Sequence, residues 1–288
     1  MKYLVLLNPL SKRGKGMEAR EVLEKLLAGE EAEYRDVTKE DILTCIRETP
    51  EDVRILFAGG DGTLNHVLNE LDGKEISREI YYFPAGTGND FMNDLGKKAE
   101  EGPLPVNEYL NGLPTVKVNG IECKFLNGIG YGLDGYCCEE SDRLKTLGKQ
   151  KSYALIAAEG LLGKYKPTKA TVTVDGVTKT YEKVYMVPTM FGRFFGGGIQ
   201  IAPHQDRKNP EHTVTNVVVH GIGRLHALIL FPSIIAGKGD RQPKYLDYSV
   251  CRDVKVAFDR PVALQIDGDT VLNVTEYEVH AAPAPENE

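Results

Sequence analysis

Residues 59–65, which read GGDGTLN, combine a carboxylate with three glycines. The glycines leave no Cβ in the way of a ligand, and backbone N–H groups at a helix start can bind an anion. Asp61 would repel a phosphate there unless a cation lay between them, so the pattern predicts a nucleotide site in which Asp61 binds Mg²⁺. The alternative is an ordinary strand-to-helix turn in which Asp61 caps a helix. The other predicted nucleotide contacts of this segment are Gly59, Gly60, Gly62, Thr63 and Asn65.

Two further segments have similar chemistry. Residues 84–91, PAGTGNDF, offer backbone and side-chain donors, and Asp90 could cap the helix that follows. Residues 8–16, NPLSKRGKG, are locally basic through Lys12, Arg13 and Lys15, which suits a triphosphate, although a basic surface turn is the alternative. There is no GxxxxGK[ST], which excludes a P-loop NTPase. The predicted nucleotide contacts of these two segments are Asn8, Ser11, Gly86, Thr87, Gly88 and Asn89.

These segments need a sheet to hold them together. Short apolar runs at 3–7, 54–57 and 80–83 predict strands, and residues 31–37 could form another. Residues 17–28, 39–48 and 63–71 have helical spacing, with Thr38 as an expected N-cap. Strands separated by single helices imply a parallel sheet. Loops that follow neighbouring parallel strands open at one edge of the sheet, where ligands bind.

The sequence pattern changes after about residue 114. Asn-Gly at 119–120 and Asp-Gly at 175–176, each between β-like runs, predict hairpins and a mostly antiparallel region. We therefore expect an α/β nucleotide domain over 1–114, a β domain over 115–280 and a frayed tail over 281–288. Residues 152–165 and 225–238 are helical patches. The second patch, followed by Lys238, Arg241 and Lys244, could dock on anionic lipid or could be a core helix.

Composition limits the partners and the compartment. The net charge of −7 argues against a nucleic-acid partner. Five scattered cysteines without a CxxC pair are typical of a reducing compartment, so a cytoplasmic location is expected. No run approaches the ~18 apolar residues of a spanning helix, so a lipid partner would be reached by peripheral contact with the inner face of the membrane.

The paired segments GGDGTLN and PAGTGNDF resemble the catalytic domain of the diacylglycerol kinase and sphingosine kinase superfamily, in its bacterial lipid-kinase branch. GGDGT is also shared with NAD kinases. Further similar segments are Asn8-Pro9, 124-KFLNGIGYGLDG-135 and 196-GGGIQIAP-203. The resemblance implies an N-terminal Rossmann-like three-layer domain, a C-terminal antiparallel β-sandwich domain and ATP as the phosphate donor. It also implies that Thr38 lies near the nucleotide.

Two family features are altered in this chain. The family carries its general base as Glu in an Asp-Gly-Glu segment; here the segment reads 266-IDGDTV-271, so the resemblance makes Asp269 the base. Asp267-Gly268 could equally be a simple hairpin turn with Asp269 at the surface. The family's metal loop corresponds to residues 203–212, where Asp206 is kept, Asn209 replaces an aspartate, and Glu211 follows. This site would be weakened or rebuilt around Glu211.

The sequence therefore predicts an ATP- and Mg²⁺-dependent lipid kinase, with diacylglycerol as the expected acceptor and Asp61 and Asp269 as catalytic residues. Two alternatives remain. One is a kinase of the same fold with a soluble acceptor such as NAD, and the other is a catalytically impaired protein that binds lipid or nucleotide. The lipid's identity and the oligomeric state stay open, with a homodimer as one option.

Overall fold

The computed structural model describes residues 1–14, 16–72, 74, 76–109 and 111–283, without the side chains of Lys12 and Arg13. The predicted basic character of the first loop, and the last five residues of the predicted frayed tail, therefore lie outside the described residues. The chain divides into two compact units, Met1–Asn111 and Gly112–Glu288.

The first unit contains a five-stranded sheet in the order β2-β1-β3-β4-β5, in which β1 to β4 are parallel and β5 is antiparallel. Its strands are β1 (Lys2–Leu7), β2 (Glu31–Asp36), β3 (Val53–Gly59), β4 (Ile80–Pro84) and β5 (Leu104–Pro105). Its helices are α1 (Ser11–Gly14), α2 (Gly16–Leu26), α3 (Ile42–Glu48), α4 (Asp61–Leu71) and α5 (Asp90–Leu95). The predicted Rossmann-like α/β architecture is confirmed.

Continuous apolar runs in β1, β3 and β4 give this sheet two buried faces. Tyr3, Val5 and Leu7 of β1 pack with Leu23 of helix α2 and with Leu27, which follows that helix. The intervening β1 residues face the opposite side of the sheet, because successive strand side chains alternate. Helix α4 packs against β3 and α3. Both faces of the parallel strands are therefore covered, as a parallel sheet requires.

The predicted N-cap at Thr38 is wrong. The cap of α3 is Asp41, whose carboxylate accepts a hydrogen bond from the Thr44 backbone N–H at 2.7 Å. Thr38 lies instead in a 3-10 turn, where its N–H and its hydroxyl donate to Asp36 Oδ1 at 3.0 and 2.7 Å. The hydrogen bond from the Thr38 side chain lowers the pKa of the Asp36 carboxyl. Aspartate caps at least as well as threonine, so the helix starts three residues later than Thr38 suggested.

Arg78 lies just before β4, at the end of the sheet where the parallel strands begin. Its guanidinium donates to the carbonyl oxygens of Ile46 (3.1 Å), Thr49 (2.6 Å), Pro50 (2.8 Å) and Val53. These acceptors include carbonyls at the C-terminal end of α3, which have no partner within the helix. One side chain thus joins the end of α3 to the starts of β3 and β4.

The second unit contains one ten-stranded antiparallel sheet. Eight strands follow the order β13-β12-β11-β8-β14-β15-β6-β7, and the hairpin β9-β10 pairs with β14. The strands are β6 (Thr115–Val118), β7 (Ile121–Lys124), β8 (Gly128–Tyr131), β9 (Thr168–Val174), β10 (Val177–Val184), β11 (Thr189–Met190), β12 (Val214–Val219), β13 (Leu246–Cys251), β14 (Asp253–Ile266) and β15 (Asp269–His280). The predicted antiparallel fold is confirmed.

Both hairpins expected from Asn-Gly and Asp-Gly are present. Asn119 and Asp175 have φ of 48° and 46°, and the following glycines also have positive φ, as two-residue hairpin turns require. The unit's helices are α6 (Leu133–Thr146), α7 (Tyr153–Glu159), which continues into a π-helical turn (Gly160–Lys164), and α8 (Arg224–Ile235). Within the described part of the chain, no helix is long and apolar enough to cross a membrane.

Candidate functional site

The carboxyl ends of four parallel strands bring the predicted nucleotide residues to one edge of the first unit's sheet. Strands β1, β2, β3 and β4 run in the same direction, so the loops that follow them leave from the same edge. The loop after β1 contains Asn8 and Ser11, and the turn after β2 contains Thr38. The loop after β3 contains residues 59–65, and the loop after β4 contains residues 86–89. The expected clustering at one edge is therefore present.

The loop after β1 and the loop after β3 are joined by side chains. Asn8 Nδ2 donates to Thr63 Oγ1 at 2.8 Å, and the Asn8 backbone N–H donates to the Ala58 carbonyl at 2.8 Å. Thr63 leaves no room for a larger residue at position 59, because a Cβ on Gly59 would lie 2.5 Å from Thr63 Cβ. Asn8 and Thr63 thus fix the loops relative to each other, and Ser11 is buried at the start of α1.

The loop after β3 and the loop after β4 touch through glycine backbone. A Cβ on Gly86 would lie 2.6 Å from Gly60 Cα, and a Cβ on Gly60 would lie 3.2 Å from Gly86 Cα. The Ala85 N–H donates to the Gly59 carbonyl at 2.7 Å. Glycine is needed here because two backbones approach closely, in addition to any conformational freedom it supplies. Thr87 is exposed between Gly86 and Gly88, at the open side of this loop.

Asp61 connects the same two loops. Its Oδ2 accepts from the Asp90 N–H at 2.9 Å and its Oδ1 accepts from the Phe91 N–H at 3.0 Å. The carboxylate therefore caps α5, while Asp61 itself opens α4. Asp90 is the first residue of α5, and the expectation that it caps this helix is wrong: the N-cap position is Asn89, with φ of 51° and no side-chain cap hydrogen bond. Asp61 satisfies the donors that such a cap would leave free.

Tyr82 stabilises the loop after β3. Its hydroxyl donates to the Gly59 carbonyl at 3.0 Å, and the ring is fully buried against Phe91 with centroids 6.1 Å apart. Burial raises the pKa of Tyr82 well above its usual value, and the neighbouring charge of Asp61 acts in the same direction. The Tyr82 hydroxyl therefore stays neutral across the physiological pH range, and its hydrogen bond to the Gly59 carbonyl holds the start of residues 59–65 in place.

The residues at this edge fit the phosphates of a nucleotide but do not form a magnesium site by themselves. Glycine loops leave open backbone at strand ends, and Asn89 Oδ1 is buried without a hydrogen-bond partner among the described residues. Within the described ranges, no group of three or more His, Cys, Asp and Glu side chains could hold a metal ion. Asp61 is a single carboxylate whose two oxygens already accept backbone hydrogen bonds. Asn65 is buried on α4, and its Oδ1 accepts from Asn69 Nδ2 at 3.1 Å.

In the second unit, two neighbouring aspartates have different environments. Asp267 has φ of 47°, and its carboxylate accepts hydrogen bonds from the backbone N–H groups of Leu126, Asn127 (2.8 Å) and Gly128 (3.0 Å). Asp269 is exposed at the start of β15. The hairpin turn considered as an alternative is thus present, and it presents Asp269 at the surface. The proposed role of Asp269 as a base stays a prediction.

Two thiols lie within electrostatic range of Asp269. Burial raises the pKa of Cys123, and the charges of Asp267 and Asp269 add to this shift. Burial also raises the pKa of Cys138 well above its usual value, with a smaller contribution from Asp269. The chain of β15 continues with Thr270, whose hydroxyl donates to Asp142 Oδ2 at 2.8 Å. Asp269 therefore lies near the thiols of Cys123 and Cys138.

Helix α6 and its residue Asp134 were not predicted as part of the site. Asp134 is 2% exposed, and its Oδ2 accepts from Gln265 Nε2 at 2.9 Å. Gln265 Oε1 in turn accepts from the Gly268 N–H at 2.6 Å, so α6 is linked to the Asp267-Gly268 turn. A Cβ on Gly130 would lie 1.4 Å from Asp134 Oδ2, so glycine is required there. Gly130 and Asp134 both lie in the segment 124–135, and the family resemblance of that segment was the signal in the sequence that pointed to them.

Arg207 supports the same turn from another side. It is buried, and it donates to the Leu126 carbonyl at 3.1 Å and to Asn127 Oδ1 at 3.0 Å. Leu126 and Asn127 are also donors to Asp267. Sequence reasoning missed Arg207 because a lone arginine in a polar loop is normally a surface residue.

The loop predicted as a metal site is held by its own hydrogen bonds. Asp206 Oδ1 accepts from the Lys208 N–H at 2.9 Å, and Asn209 Oδ1 accepts from the Glu211 N–H at 2.9 Å. Asn209 Nδ2 donates to Thr213 Oγ1 at 2.9 Å. Asp206 and Glu211 are exposed. These contacts explain how the loop is stable with asparagine at position 209, and metal binding by Asp206, Asn209 and Glu211 stays a prediction.

Comparison with known proteins assigns both units to families. The model of the diacylglycerol kinase catalytic domain matches residues 2–115, and the model of the YegS C-terminal NAD kinase beta sandwich-like domain matches residues 127–284. The second match alone covers more than half of the chain. The chain therefore belongs to the family defined by the YegS C-terminal NAD kinase beta sandwich-like domain, here preceded by a diacylglycerol kinase catalytic domain, which confirms the resemblance seen in its sequence.

Individual relatives agree with this assignment. The chain is 22% identical to the "Putative lipid kinase YtlR" of Bacillus subtilis over 98% of its own length and 97% of the relative's. It is 26% identical over 220 residues to the diacylglycerol kinase of Bacillus subtilis, covering 75% of this chain and 70% of that protein. A solved diacylglycerol kinase structure from Bacillus anthracis superposes with a TM-score of 0.66 at 19% identity, covering 98% and 94% of the two chains. That similarity shows the fold.

Proposed function

We propose that this protein is an ATP-dependent lipid kinase that transfers the γ-phosphate to a lipid hydroxyl, with diacylglycerol as acceptor and phosphatidic acid as product. One observation carries the proposal: three loops converge at one sheet edge, and two of them are joined through the Gly60–Gly86 contact and the Asp61 carboxylate. Family membership supports the proposed reaction class, because a kinase of this family is expected to use ATP as the phosphate donor. The named relatives support a lipid acceptor.

The nucleotide would be held by the loops of the first unit. Backbone N–H groups of residues 59–63 and 86–89, at the starts of α4 and α5, suit phosphate oxygens. Asn8 and Thr63 keep the two loops in register through their 2.8 Å hydrogen bond. Bound ATP supplies the phosphoryl group. Asp61 acts in this proposal by fixing the positions of both loops, since even about 1 Å of displacement costs about 10²-fold in rate.

The acceptor would be activated by the second unit. Asp269 is exposed on a turn whose geometry is fixed by Asp267, Gln265 and Asp134, so its carboxylate can accept the proton of a lipid hydroxyl. Mg²⁺ would arrive with ATP, and Asp61 would also bind it beside the phosphates, because Mg²⁺ in nucleotide sites uses one or two carboxylates together with phosphate oxygens. Peripheral contact with the cytoplasmic face of the membrane would give access to such an acceptor.

The test is a phosphorylation assay with labelled ATP over a panel of acceptors. The panel contains diacylglycerol, a sphingoid base, ceramide, undecaprenol and the soluble acceptor NAD. The wild type should label a lipid, with diacylglycerol preferred, and should form no NADP. Asp61→Ala should lower kcat/KM by at least about 10²-fold. The variant also loses the α5 cap, which costs about 1 kcal/mol, so its melting temperature must be measured alongside.

The matched control is Asp52→Ala, because Asp52 is an exposed aspartate of the same unit, in the turn before β3. It should leave the rate unchanged. An Asp61→Ala protein with wild-type activity would disprove the role of this carboxylate. ATP-dependent NADP formation would replace the lipid acceptor with a soluble one, and tight binding without turnover on any acceptor would identify a non-catalytic protein.

A further inference from the structure

Helix α6 is hydrogen-bonded to both chain neighbours of Asp269. The Gly268 N–H is linked to Asp134 through one amide side chain. The Thr270 hydroxyl donates directly to Asp142 Oδ2 at 2.8 Å. Asp134 and Asp142 are separated by about two turns of the same helix. One helix therefore holds the chain on either side of residue 269.

The β14–β15 hairpin presents one face to this helix and the other face away from it. Gln265 and Thr270 lie directly opposite each other in the strand pairing, so their side chains share the face that contacts α6. The next pair is Ile266 and Asp269. Because side chains alternate along a strand, the Asp269 carboxylate belongs to the opposite face, and it is exposed there. The helix thus supports the backbone at residue 269 without covering its carboxylate.

Close packing fixes the start of α6 against β14. A Cβ on Gly135 would lie 2.0 Å from the Ala263 carbonyl oxygen, so the helix backbone approaches the strand backbone closely. At this separation the Gln265 amide, which is 3% exposed, reaches from the helix to the turn. The second contact is also held, because the other oxygen of Asp142 accepts from Lys145 Nζ at 2.6 Å. Neither contact can shift along the hairpin without losing a hydrogen bond.

The carboxylate at position 134 determines which way the Gln265 amide points. A carboxylate only accepts hydrogen bonds, so the amide directs its Nε2 toward Asp134 and its Oε1 toward the Gly268 N–H. A buried carboxylate is costly to desolvate, and well-packed apolar side chains often serve stability equally well. The orientation that Asp134 imposes on the amide therefore explains this buried charge better than stability does.

We propose that Asp134, Gln265 and Asp142 are positioning residues, through which helix α6 holds Asp269 where its carboxylate can accept the proton of the acceptor. This inference rests on the proposed function and deepens it, because it assigns the support of the acceptor-activating group to one helix. In this role the three residues do not touch the substrate. They act through the backbone of residues 268–270, since a displacement of about 1 Å at a reacting group costs about 10²-fold in rate.

The first test reverses the direction of the amide link. Gln265→Glu places a second carboxylate against Asp134, so the link should break, and kcat should fall by at least about tenfold with KM for ATP unchanged. The double variant Asp134→Asn/Gln265→Glu keeps the net charge of the wild type and nearly the same side-chain volumes. Its asparagine can donate to the new carboxylate, which still accepts from the Gly268 N–H. The double variant should regain most of the wild-type kcat.

The second test removes the direct contact. Thr270→Val keeps the shape of the side chain and deletes the hydroxyl that donates to Asp142. We expect kcat to fall by about three- to tenfold, with KM for ATP unchanged. The matched control is Thr178→Val, which removes a comparable hydroxyl contact with Thr173 Oγ1, at 2.9 Å, in the β9–β10 hairpin. The control should keep the wild-type kcat.

A positioning effect must depend on Asp269. In an Asp269→Ala background, Thr270→Val should change the residual rate by less than about twofold, because no carboxylate is left to position. A general defect in folding would instead lower the residual rate by the same factor as in the wild-type background, and that result would contradict the positioning role.

Hydrogen exchange separates this inference from the proposed function, because it needs no activity. Gln265→Leu removes the acceptor of the Gly268 N–H, so deuterium uptake by the peptide that covers residues 266–271 should accelerate by about threefold or more. If the wild type phosphorylates no acceptor while this acceleration is present, α6 supports the turn and the kinase function fails.

Three further results would overturn the role of α6. The first is wild-type kcat in both Gln265→Glu and Thr270→Val. The second is a double variant that melts like the wild type but turns over as slowly as Gln265→Glu. The third is unchanged deuterium uptake in Gln265→Leu, which would show that the turn keeps its position without the helix.

Discussion

In the first unit Asp61 is fixed by the backbone N–H groups of Asp90 and Phe91, whereas in the second unit Asp269 projects from a turn that is fixed by its neighbour Asp267. Both are carboxylates after short glycine-containing segments. In the first unit the carboxylate of Asp61 itself holds the loops together. In the second unit Asp267 holds the turn, and Asp269, two positions further on, is exposed.

This difference follows from how the two folds place their loops. At the edge of a parallel sheet, several strand ends meet, so one side chain can reach the next loop and cap its helix. A hairpin turn in an antiparallel sheet has only its own two strands, so its position must be set by contacts from elsewhere in the unit. Those contacts come from residues 126–128, and Gln265 of the hairpin's own strand β14 adds a hydrogen bond from the Gly268 N–H.

The largest expected effect comes from separating the two aspartates of the second unit. Asp269→Ala should leave the melting temperature nearly unchanged, because the side chain is exposed, and should reduce kcat by about 10²- to 10⁴-fold if it accepts the acceptor's proton. Asp267→Ala should cost about 1–3 kcal/mol of unfolding free energy, because the turn loses its carboxylate acceptor. Thermal melts and turnover assays on both variants test the division.

Asp269→Glu is the informative companion variant, because the family pattern has glutamate at this position. It should retain activity well above Asp269→Ala. If Asp269→Ala turns over at the wild-type rate, or if it unfolds as readily as Asp267→Ala, then position 269 is not the separate chemical group described here.

A smaller effect is expected from the glycine contact in the first unit. Gly86→Ala would place a Cβ 2.6 Å from Gly60 Cα, so the loop after β4 must move away from the loop after β3. We expect KM for ATP to rise by about tenfold or more, with lipid affinity unchanged. Gly223→Ala is the control, because nothing lies within 4 Å of its added Cβ and its φ is −77°. Equal KM values for the two variants would contradict the need for this close contact.

The charge of Asp269 can be measured without any activity. Burial is the main cause of the raised pKa of Cys123, and the charges of Asp267 and Asp269 add to it. Asp269→Asn should therefore lower that pKa and increase the thiolate fraction at mildly alkaline pH. Alkylation of Cys123 by iodoacetamide, followed by peptide mass spectrometry, should speed up about two- to threefold. Cys251 is the internal control, because it is buried and its pKa is raised without any contribution from Asp269. An unchanged Cys123 rate would place Asp269 farther from the thiol.

The smallest expected effect concerns magnesium without nucleotide. A metal held by the folded protein alone would stabilise it through binding linkage. Because the described residues contain no clustered ligand set, adding Mg²⁺ to the nucleotide-free protein should shift the melting temperature by less than about 1 °C. Differential scanning calorimetry with and without EDTA tests this. A shift of several degrees would indicate a metal site built by the protein.

The strand-end loops of the first unit were predictable because their signals are local. Apolar runs, the glycine segments and the alternation of strands with single helices together placed residues 8–11, 59–65 and 86–89 at one edge. The partner of Asp61 was not predictable, because a carboxylate can cap the helix it opens or one from another loop, and only the packed distance between the loops decides.

The second unit was harder to predict from sequence for two physical reasons. Residues 254–258 and 262–266 read as separate runs, but β14 is continuous through register shifts beside β15. Helix α6 has few apolar residues, with Leu133, Cys137 and Leu144 among those buried, so its periodicity is weak. The hairpin turns were predicted correctly, because Asn-Gly and Asp-Gly fix the backbone locally.

Arg78 has a consequence for how the first unit folds. Its contacts with Ile46, Thr49, Pro50 and Val53 connect segments about thirty residues apart in sequence, at the price of one loop closure. Parallel strand pairing is kinetically slow, because non-local contacts must form before they stabilise anything. We expect Arg78 to shorten that search by aligning β4 beside β3 early, so Arg78→Met should slow refolding more than it accelerates unfolding. A chevron plot with an unchanged folding arm would show that the arginine acts only after the barrier.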